Sequence, residues 1–324
     1  MLTTSVALAT YNGSKYIEDQ IRSILYQSRL PDQLLISDDF SQDDTLAKIT
    51  SVLHDFDLNF QIVTSSYNAG YSRNFERALQ YCTEDIIFCC DQDDVWFLNK
   101  IDLVVSYFDQ NESVMLLIHD LEFCTETLLP TGKFKLHEIN NLYNTNRSYV
   151  TGMATAARRE FIDFCLPIPF NIPYDLWIHS CAFYLDVKLI LSETLAYYRR
   201  HHSNATNSDH LNFSFNSRFK YYLKILRNEL SRKEISSSFN LPELVLNRIY
   251  DRENFLFQHL NFNNNKFNEI IQSLNFEKLL YFEREKIKNL PFHMRLPKIY
   301  DFYSKGYYSY FSGYSSLLKD LISP

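Results

Sequence analysis

Three carboxylates in four residues, Asp91, Asp93 and Asp94, follow directly on the apolar run Ile86–Cys90. Such a run reads as a short strand buried on both faces. Like charges packed against a buried strand end repel one another, and desolvation favours the neutral acid. A divalent cation offsets that cost. Oxygen ligands spaced Asp-x-Asp suit magnesium or manganese, ions that share their shell with substrate phosphates. The chemistry implied is a metal-held diphosphate at a strand end. The competing reading is a solvated turn whose Asp residues cap the next helix. The tetrad alone leaves both open.

The elements around it decide more. Ser5–Ala9, Gln33–Ser37, Phe60–Thr64 and Ile86–Cys90 read as strands, with helices over about 14–27, 45–54 and 72–81 between them. Ser14 is the expected cap of the first helix, and Ser72 or Asn74 of the third. Strand and helix alternate four times, the pattern of a parallel, doubly wound sheet. Ligands of such sheets bind beyond the carboxyl ends of the strands, where strand order reverses. A polar cluster follows every strand: Thr10, Tyr11 and Asn12; Asp38 and Asp39; Asn68 through Arg73 to Asn74; and Asp91 to Asp94. All four fall on one rim, which weighs toward a site. No GxGxxG follows the first strand, so a dinucleotide site is disfavoured. Further on, Val114–Ile118, Val150–Ala157 and Leu195–Tyr198 read as strands, and 119–146 as a loop-rich excursion suited to an acceptor. His119-Asp120 reads as a core pair. Three prolines at 167, 169 and 173 force an extended segment that delivers Asp175 to a helix start.

Composition sets the bounds. The 324 residues are 46% hydrophobic, enough for one large α/β domain and an appendage. No apolar run reaches the roughly eighteen residues of a membrane span. No signal peptide is read at the N-terminus. The six cysteines show no paired CxxC spacing, which fits a reducing, cytoplasmic location. Residues 1–210 hold 15 Lys and Arg against 28 Asp and Glu; residues 211–324 hold 17 against 11. The expected division is an acidic catalytic domain over 1–212 and a basic, aromatic, helical region over 213–324.

The pieces Ala9-Thr-Tyr-Asn-Gly13, Ser37-Asp-Asp-Phe-Ser-Gln-Asp-Asp-Thr45, Asn68-Ala-Gly70 with Arg73–Leu79, Cys90-Asp-Gln-Asp-Asp-Val-Trp96, Gly152, Tyr174-Asp175-Leu-Trp177 and Tyr198-Arg-Arg-His201 stand in one order across residues 5–207. In that order the chain resembles inverting family 2 glycosyltransferases of the A-type nucleotide-diphospho-sugar fold, and within them the bacterial rhamnosyltransferase-like branch that builds surface polysaccharides. The resemblance implies that Thr10, Tyr11, Asn12 and Asp38 or Asp39 lie at the donor nucleotide's base and ribose. It implies that Asn68, Arg73 and Asn74 line the nucleotide and diphosphate pocket. Asp91 and Asp93 then form the Asp-x-Asp metal element, Asp93 as the direct ligand and Asp91 nearer the ribose or sugar, with His201 a further metal ligand. Asp175 matches the catalytic base. The implied cofactor is Mn2+ or Mg2+. The implied donor is dTDP-L-rhamnose or a UDP-hexose, and the acceptor a saccharide, free or lipid-linked. Asp94 is left as a cap for the Trp96 turn.

The tail after about residue 215 lies outside the resemblance. It reads as helices over about 213–233, 241–260, 267–290 and 296–321. A bundle packing on the catalytic domain is favoured over a basic aromatic face docking at the inner side of the cell membrane; a homodimer through the tail is a third reading. No nucleic-acid partner is expected. Two other functions compete: nucleotidyl transfer, disfavoured because the first loop has one Gly and one Lys, and a non-catalytic scaffold, disfavoured by the intact Asp91, Asp93 and Asp175.

Overall fold

A computed structural model describes residues 1–54, 56, 58–140, 145–202, 240–260, 262–311 and 313–322. The first half alternates as expected: β1 (Thr4–Thr10), α1 (Ile17–Leu25), β2 (Gln33–Asp38), α2 (Thr45–Leu53), β3 (Phe60–Thr64), α3 (Tyr71–Tyr81) and β4 (Ile86–Asp91). Then come β5 (Val95–Trp96), α4 (Lys100–Gln110), β6 (Leu116–Cys124), β7 (Pro130–Phe134), α5 (Lys135–Asn140), α6 (Thr145–Ser148), β8 (Thr155–Arg158), α7 (Arg159–Cys165), α8 (Tyr174–Tyr184) and β9 (Lys188–Arg199). The nine strands form one sheet in the order β3-β2-β1-β4-β8-β6-β9-β5, with β7 on β6. β1 pairs in parallel with both β2 and β4, so strand order reverses at β1. β8 runs antiparallel between β4 and β6, and β9 parallel to β6. This is a mostly parallel sheet with an antiparallel strand inserted after the reversal, the architecture that the resemblance implies.

Apolar patterning explains the centre. β1, β2 and β4 are buried along nearly their whole length, so they read as continuous hydrophobic runs. Helix starts differ from expectation. α1 begins at Ile17 with no side-chain cap; the Gly13 carbonyl accepts the N–H groups of Tyr16 and Ile17. α3 starts on Gly70, whose φ of +90° only glycine adopts without strain, and Asn74 is buried inside the helix. The 119–146 excursion is partly regular, because β6 continues to Cys124 and β7 returns along it. The strand read at 195–198 starts seven residues earlier, at Lys188, where parallel pairing with Leu116 begins.

The chain divides into two compact units, residues 1–201 with 248–263 and residues 202–247 with 264–324. The expected boundary at 212 and the helix at 213–233 lie outside the described residues. The single helix expected over 241–260 is two, α9 (Leu241–Asp251) and α10 (Glu253–His259). Arg248 and Arg252 donate to the carbonyls of Phe164 and Leu166 at the end of α7, which leaves carbonyls there that need donors. The second unit holds α11 (Asn264–Lys288), α12 (Phe292–Ser304) and α13 (Tyr314–Ile322). Leu280, Ile287, Ile299, Phe302 and Tyr308 form its core, with a buried Arg284–Asp320 ion pair at 2.8 Å. Among the described residues no helix is long and apolar enough to cross a membrane.

Candidate active site

The reversal point at β1 brings the loops after β1, β2, β3 and β4 to one rim, as the polar clusters require. The loops are tied to each other by the residues singled out from sequence. Thr10 Oγ1 donates to Asp38 (2.7 Å), and Ser41 donates to the same carboxylate through its backbone N–H (2.8 Å) and its hydroxyl (2.6 Å). Asp39 accepts the N–H groups of Ala69 (3.1 Å) and Gly70 (2.8 Å). Asn12 accepts the Gln42 N–H at 2.8 Å. Asn68 closes a turn on the Gly70 N–H at 3.0 Å. Asn74 donates to the Thr10 carbonyl (3.0 Å) and accepts from Ser37 Oγ (2.7 Å). Asp38, Asp39 and Asn74 are thus buried and engaged within the protein, while the Tyr11 ring stands 43% exposed above the rim.

Gln92, which sequence reasoning passed over, pairs both faces of its amide with the Tyr11 backbone, accepting its N–H at 2.9 Å and donating to its carbonyl at 3.0 Å. It joins the β4 loop to the β1 loop like one extra rung of sheet. A Cβ at Gly13 would overlap that amide.

The three aspartates after β4 separate in role. Asp91 ends the strand, where burial and then the Asp93 and Asp175 carboxylates push its carboxyl up to about 8. Asp93 Oδ2 lies 2.8 Å from His201 Nε2, and the His201 ring sits 4.4 Å from that of Tyr16. Asp94 is not a turn cap. It is fully buried and accepts the Arg199 N–H at 2.9 Å, fastening the end of β9 beside the loop. Arg199 in turn lies over the Tyr16 ring and reaches Asp19 at 2.7 Å.

A buried lysine lies within electrostatic reach of this cluster. Lys100, read from sequence as an ordinary helix start, is fully buried. Its Nζ lies 3.7 Å from the centroid of the Trp96 ring and donates to the Met153 carbonyl at 2.8 Å. Burial drives its ammonium down to about 7, against the pull of Asp94 and Asp91. Asp93 and His201 form a pair of their own, with side chains 15% and 5% exposed. Among the described residues no three His, Cys, Asp or Glu side chains gather into a metal cage.

Asp175 lies within electrostatic reach of Asp91. α3 holds the segment that carries it: Ser72 Oγ donates to the Ile172 carbonyl (2.9 Å), Arg73 to the Ile168 carbonyl (3.0 Å) and to Glu76, and Glu76 accepts the Ile168 N–H (2.9 Å). Tyr174 stacks on Phe75 with centroids 3.9 Å apart. Pro173 takes the cap position of α8, and Asp175, in its first turn, accepts the Leu176 N–H through Oδ1 at 2.8 Å. Burial raises its carboxyl above the ordinary aspartate range, with backbone hydrogen bonds opposing. His119 and Asp120 do not pair through their side chains. His119 Nδ1 lies 2.6 Å from the Asp120 carbonyl, and the Asp120 carboxylate accepts the Leu121 and Leu136 N–H groups.

Gly152 makes this packing possible. A Cβ there would overlap Tyr174 Oη and lie 2.7 Å from Cζ. Gly152→Ala is expected to destabilise the protein by about 1–3 kcal/mol through overpacking and to lower kcat by moving Tyr174 and Asp175. Thermal melts with parallel kinetics check it; unchanged melting and rate would mean that Tyr174 yields freely.

A profile of the family described as glycosyl transferase family 2 matches residues 5–165. A dTDP-rhamnosyl transferase of Shigella flexneri, RfbG, is 27% identical over 269 residues, 72% of this chain and 83% of that one. The Escherichia coli protein WfgD, a UDP-Glc:alpha-D-GlcNAc-diphosphoundecaprenol beta-1,3-glucosyltransferase, is 25% identical over 192 residues, 59% of this chain and 71% of its own. Among solved structures, Staphylococcus aureus TarS 1-349 in complex with UDP-GlcNAc superposes with a TM-score of 0.56 at 15% identity, covering 99% of this chain and 89% of that one.

Proposed function

The chain carries a family 2 glycosyltransferase domain and is a glycosyltransferase; from that premise we propose that it transfers a sugar, with inversion, from a nucleotide-diphospho-sugar to a hydroxyl of a bacterial surface saccharide, and that the acceptor is lipid-linked. One observation carries the reading. Asp91, which ends β4 next to the strand-order reversal at β1, lies within electrostatic reach of both Asp175, on α8, and Asp93, the partner of His201. This supports a base and a diphosphate-holding pair brought to one site by two elements.

An acceptor hydroxyl is a weak nucleophile at neutral pH, and Asp175 takes its proton as it attacks. Asp93 and His201, with Asp91 behind them, would hold Mn2+ or Mg2+. Two protein donors fit ions that complete their shell with water and substrate phosphate. Such an ion neutralises charge developing on the leaving nucleoside diphosphate. Tyr11 and the loop closed by Asp38 and Asp39 shape the nucleotide side. Attack from the Asp175 side, with the diphosphate leaving on the opposite side, inverts the anomeric centre.

RfbG is named for dTDP-rhamnose and WfgD for UDP-glucose, so both donors are the first to try. A thermal-shift screen of nucleotide sugars with Mn2+ or Mg2+ identifies the donor as the one that raises Tm. Product NMR with that donor and a lipid-linked acceptor then reads the anomeric configuration. Retention of configuration would sink the mechanism; no response to any nucleotide sugar would sink the donor class.

A further inference from the structure

Gln92 stands between the two aspartates of the Asp-x-Asp element, and its side chain serves another loop. β1 and β4 run in parallel register as far as Ala9 opposite Asp91. Beyond that rung β4 enters a turn, and β1 ends at Thr10, whose carbonyl accepts the Asp39 N–H at 2.9 Å. From Asn12 onward the chain is held by the loop after β2. The Asn12 N–H donates to Ser41 Oγ (2.9 Å) and the Gly13 N–H to Thr45 Oγ1 (2.8 Å). Tyr11 lies between these anchors. Gln92 takes both of its backbone groups, Oε1 accepting the N–H at 2.9 Å and Nε2 donating to the carbonyl at 3.0 Å.

Two bonds from one planar amide fix a residue in position and in rotation, which a single bond does not. Tyr11 is 43% exposed, so water can replace the amide at its backbone and folding gains little from the clamp. What the clamp fixes is where the Tyr11 ring stands. Gly13 leaves it room: a Cβ there would lie 2.1 Å from Gln92 Oε1 and push the amide away.

We propose that Gln92 is a positioning residue for the nucleoside half of the donor, setting the Tyr11 ring, on which the base packs, relative to the Asp91–Asp93 loop. This rests on the reading of Tyr11 as part of the nucleotide side of the site. Stacking between a base and an aromatic ring depends on ring placement and is large enough to be read as affinity.

The test compares full-length wild type with Gln92→Met, Gln92→Asn, Tyr11→Ala and the double variant Gln92→Met with Tyr11→Ala. Calorimetry with UDP or dTDP in Mn2+ reads the whole nucleotide, and inorganic pyrophosphate in Mn2+ reads the diphosphate end alone. Methionine keeps the length of glutamine without its amide; asparagine keeps the amide but is one methylene too short to reach Tyr11. Both Gln92 variants are expected to melt like wild type and to bind the nucleoside diphosphate about tenfold more weakly, with pyrophosphate binding unchanged. Donor KM should rise in step while kcat holds. Gly13→Ala, which displaces the amide with Gln92 still present, should reproduce the loss. In the Tyr11→Ala background, Gln92→Met should cost nothing further. Wild-type nucleotide affinity in both Gln92 variants, with affinity lost in Tyr11→Ala, overturns the proposal alone. An equal loss for pyrophosphate, or additive losses in the double variant, also overturns it; the latter would make Gln92 a direct donor contact. Wild-type nucleotide affinity in Tyr11→Ala would instead remove Tyr11 from the nucleotide side, and the role of Gln92 with it.

Discussion

Asp175→Asn is expected to cut kcat by about 10²- to 10⁴-fold, the range of a positioned general base, while donor affinity holds. Asparagine keeps the shape and can still accept the Leu176 N–H through its oxygen, so α8 has no reason to move. The change removes only the proton-accepting function. pH gives a second reading. Burial raises the Asp175 carboxyl above its ordinary value, so the catalytically active carboxylate is lost as pH falls through that raised value. The acid limb of the kcat profile should therefore lie above the usual aspartate range, and in the asparagine variant the residual rate should lose that limb. A wild-type rate in the variant would remove Asp175 from the chemistry. A full loss of rate accompanied by lost nucleotide binding would make it a structural residue of the site.

What the sequence made legible follows from which contacts are local. β1 to β4 are short apolar runs bounded by turn residues, and each carries its own signal. β5 is two residues long and has no periodicity to read. β7 is exposed throughout and exists because β6 offers it an edge. The first half of β9, Lys188-Leu-Ile-Leu-Ser-Glu-Thr, mixes exposed and buried positions, and its identity as a strand comes from a partner more than seventy residues away.

The site divides the same way. Carboxylates after strands announced a rim, yet the tasks of individual residues depended on distant partners. Asp94 reads as a cap until Arg199, 105 residues later, arrives to use it. Lys100 at the first position of a helix looks solvated, and only the sheet shows it buried between Trp96 and Met153. It bears on the charge argument with which the Asp cluster began. Asp91 stays pushed up to about 8 and Asp94 well above its ordinary value with Lys100 beside them, so the buried amine, itself down to about 7, does not replace an external cation, and Asp93 is the carboxylate paired with a second donor, His201.

That pairing makes Asp93→Ala the second large expected effect. If Asp93 and His201 hold one ion against the donor diphosphate, removing the carboxylate forfeits several kcal/mol of charge stabilisation, and kcat/KM should fall by about 10²-fold or more. Mn2+ binding in the presence of UDP or dTDP, followed by electron paramagnetic resonance, should weaken in step. EDTA should silence the wild type and leave the residual rate of the variant unchanged. His201→Ala is expected to lose less, since imidazole brings no formal charge to the ion. The double variant separates a shared ion from two independent contacts. Residues that act as a unit are non-additive, so Asp93→Ala with His201→Ala should be no slower than Asp93→Ala alone. Multiplying losses would mean that the 2.8 Å pair contacts the substrate through two separate groups. Full activity of the wild type in EDTA would end the metal reading.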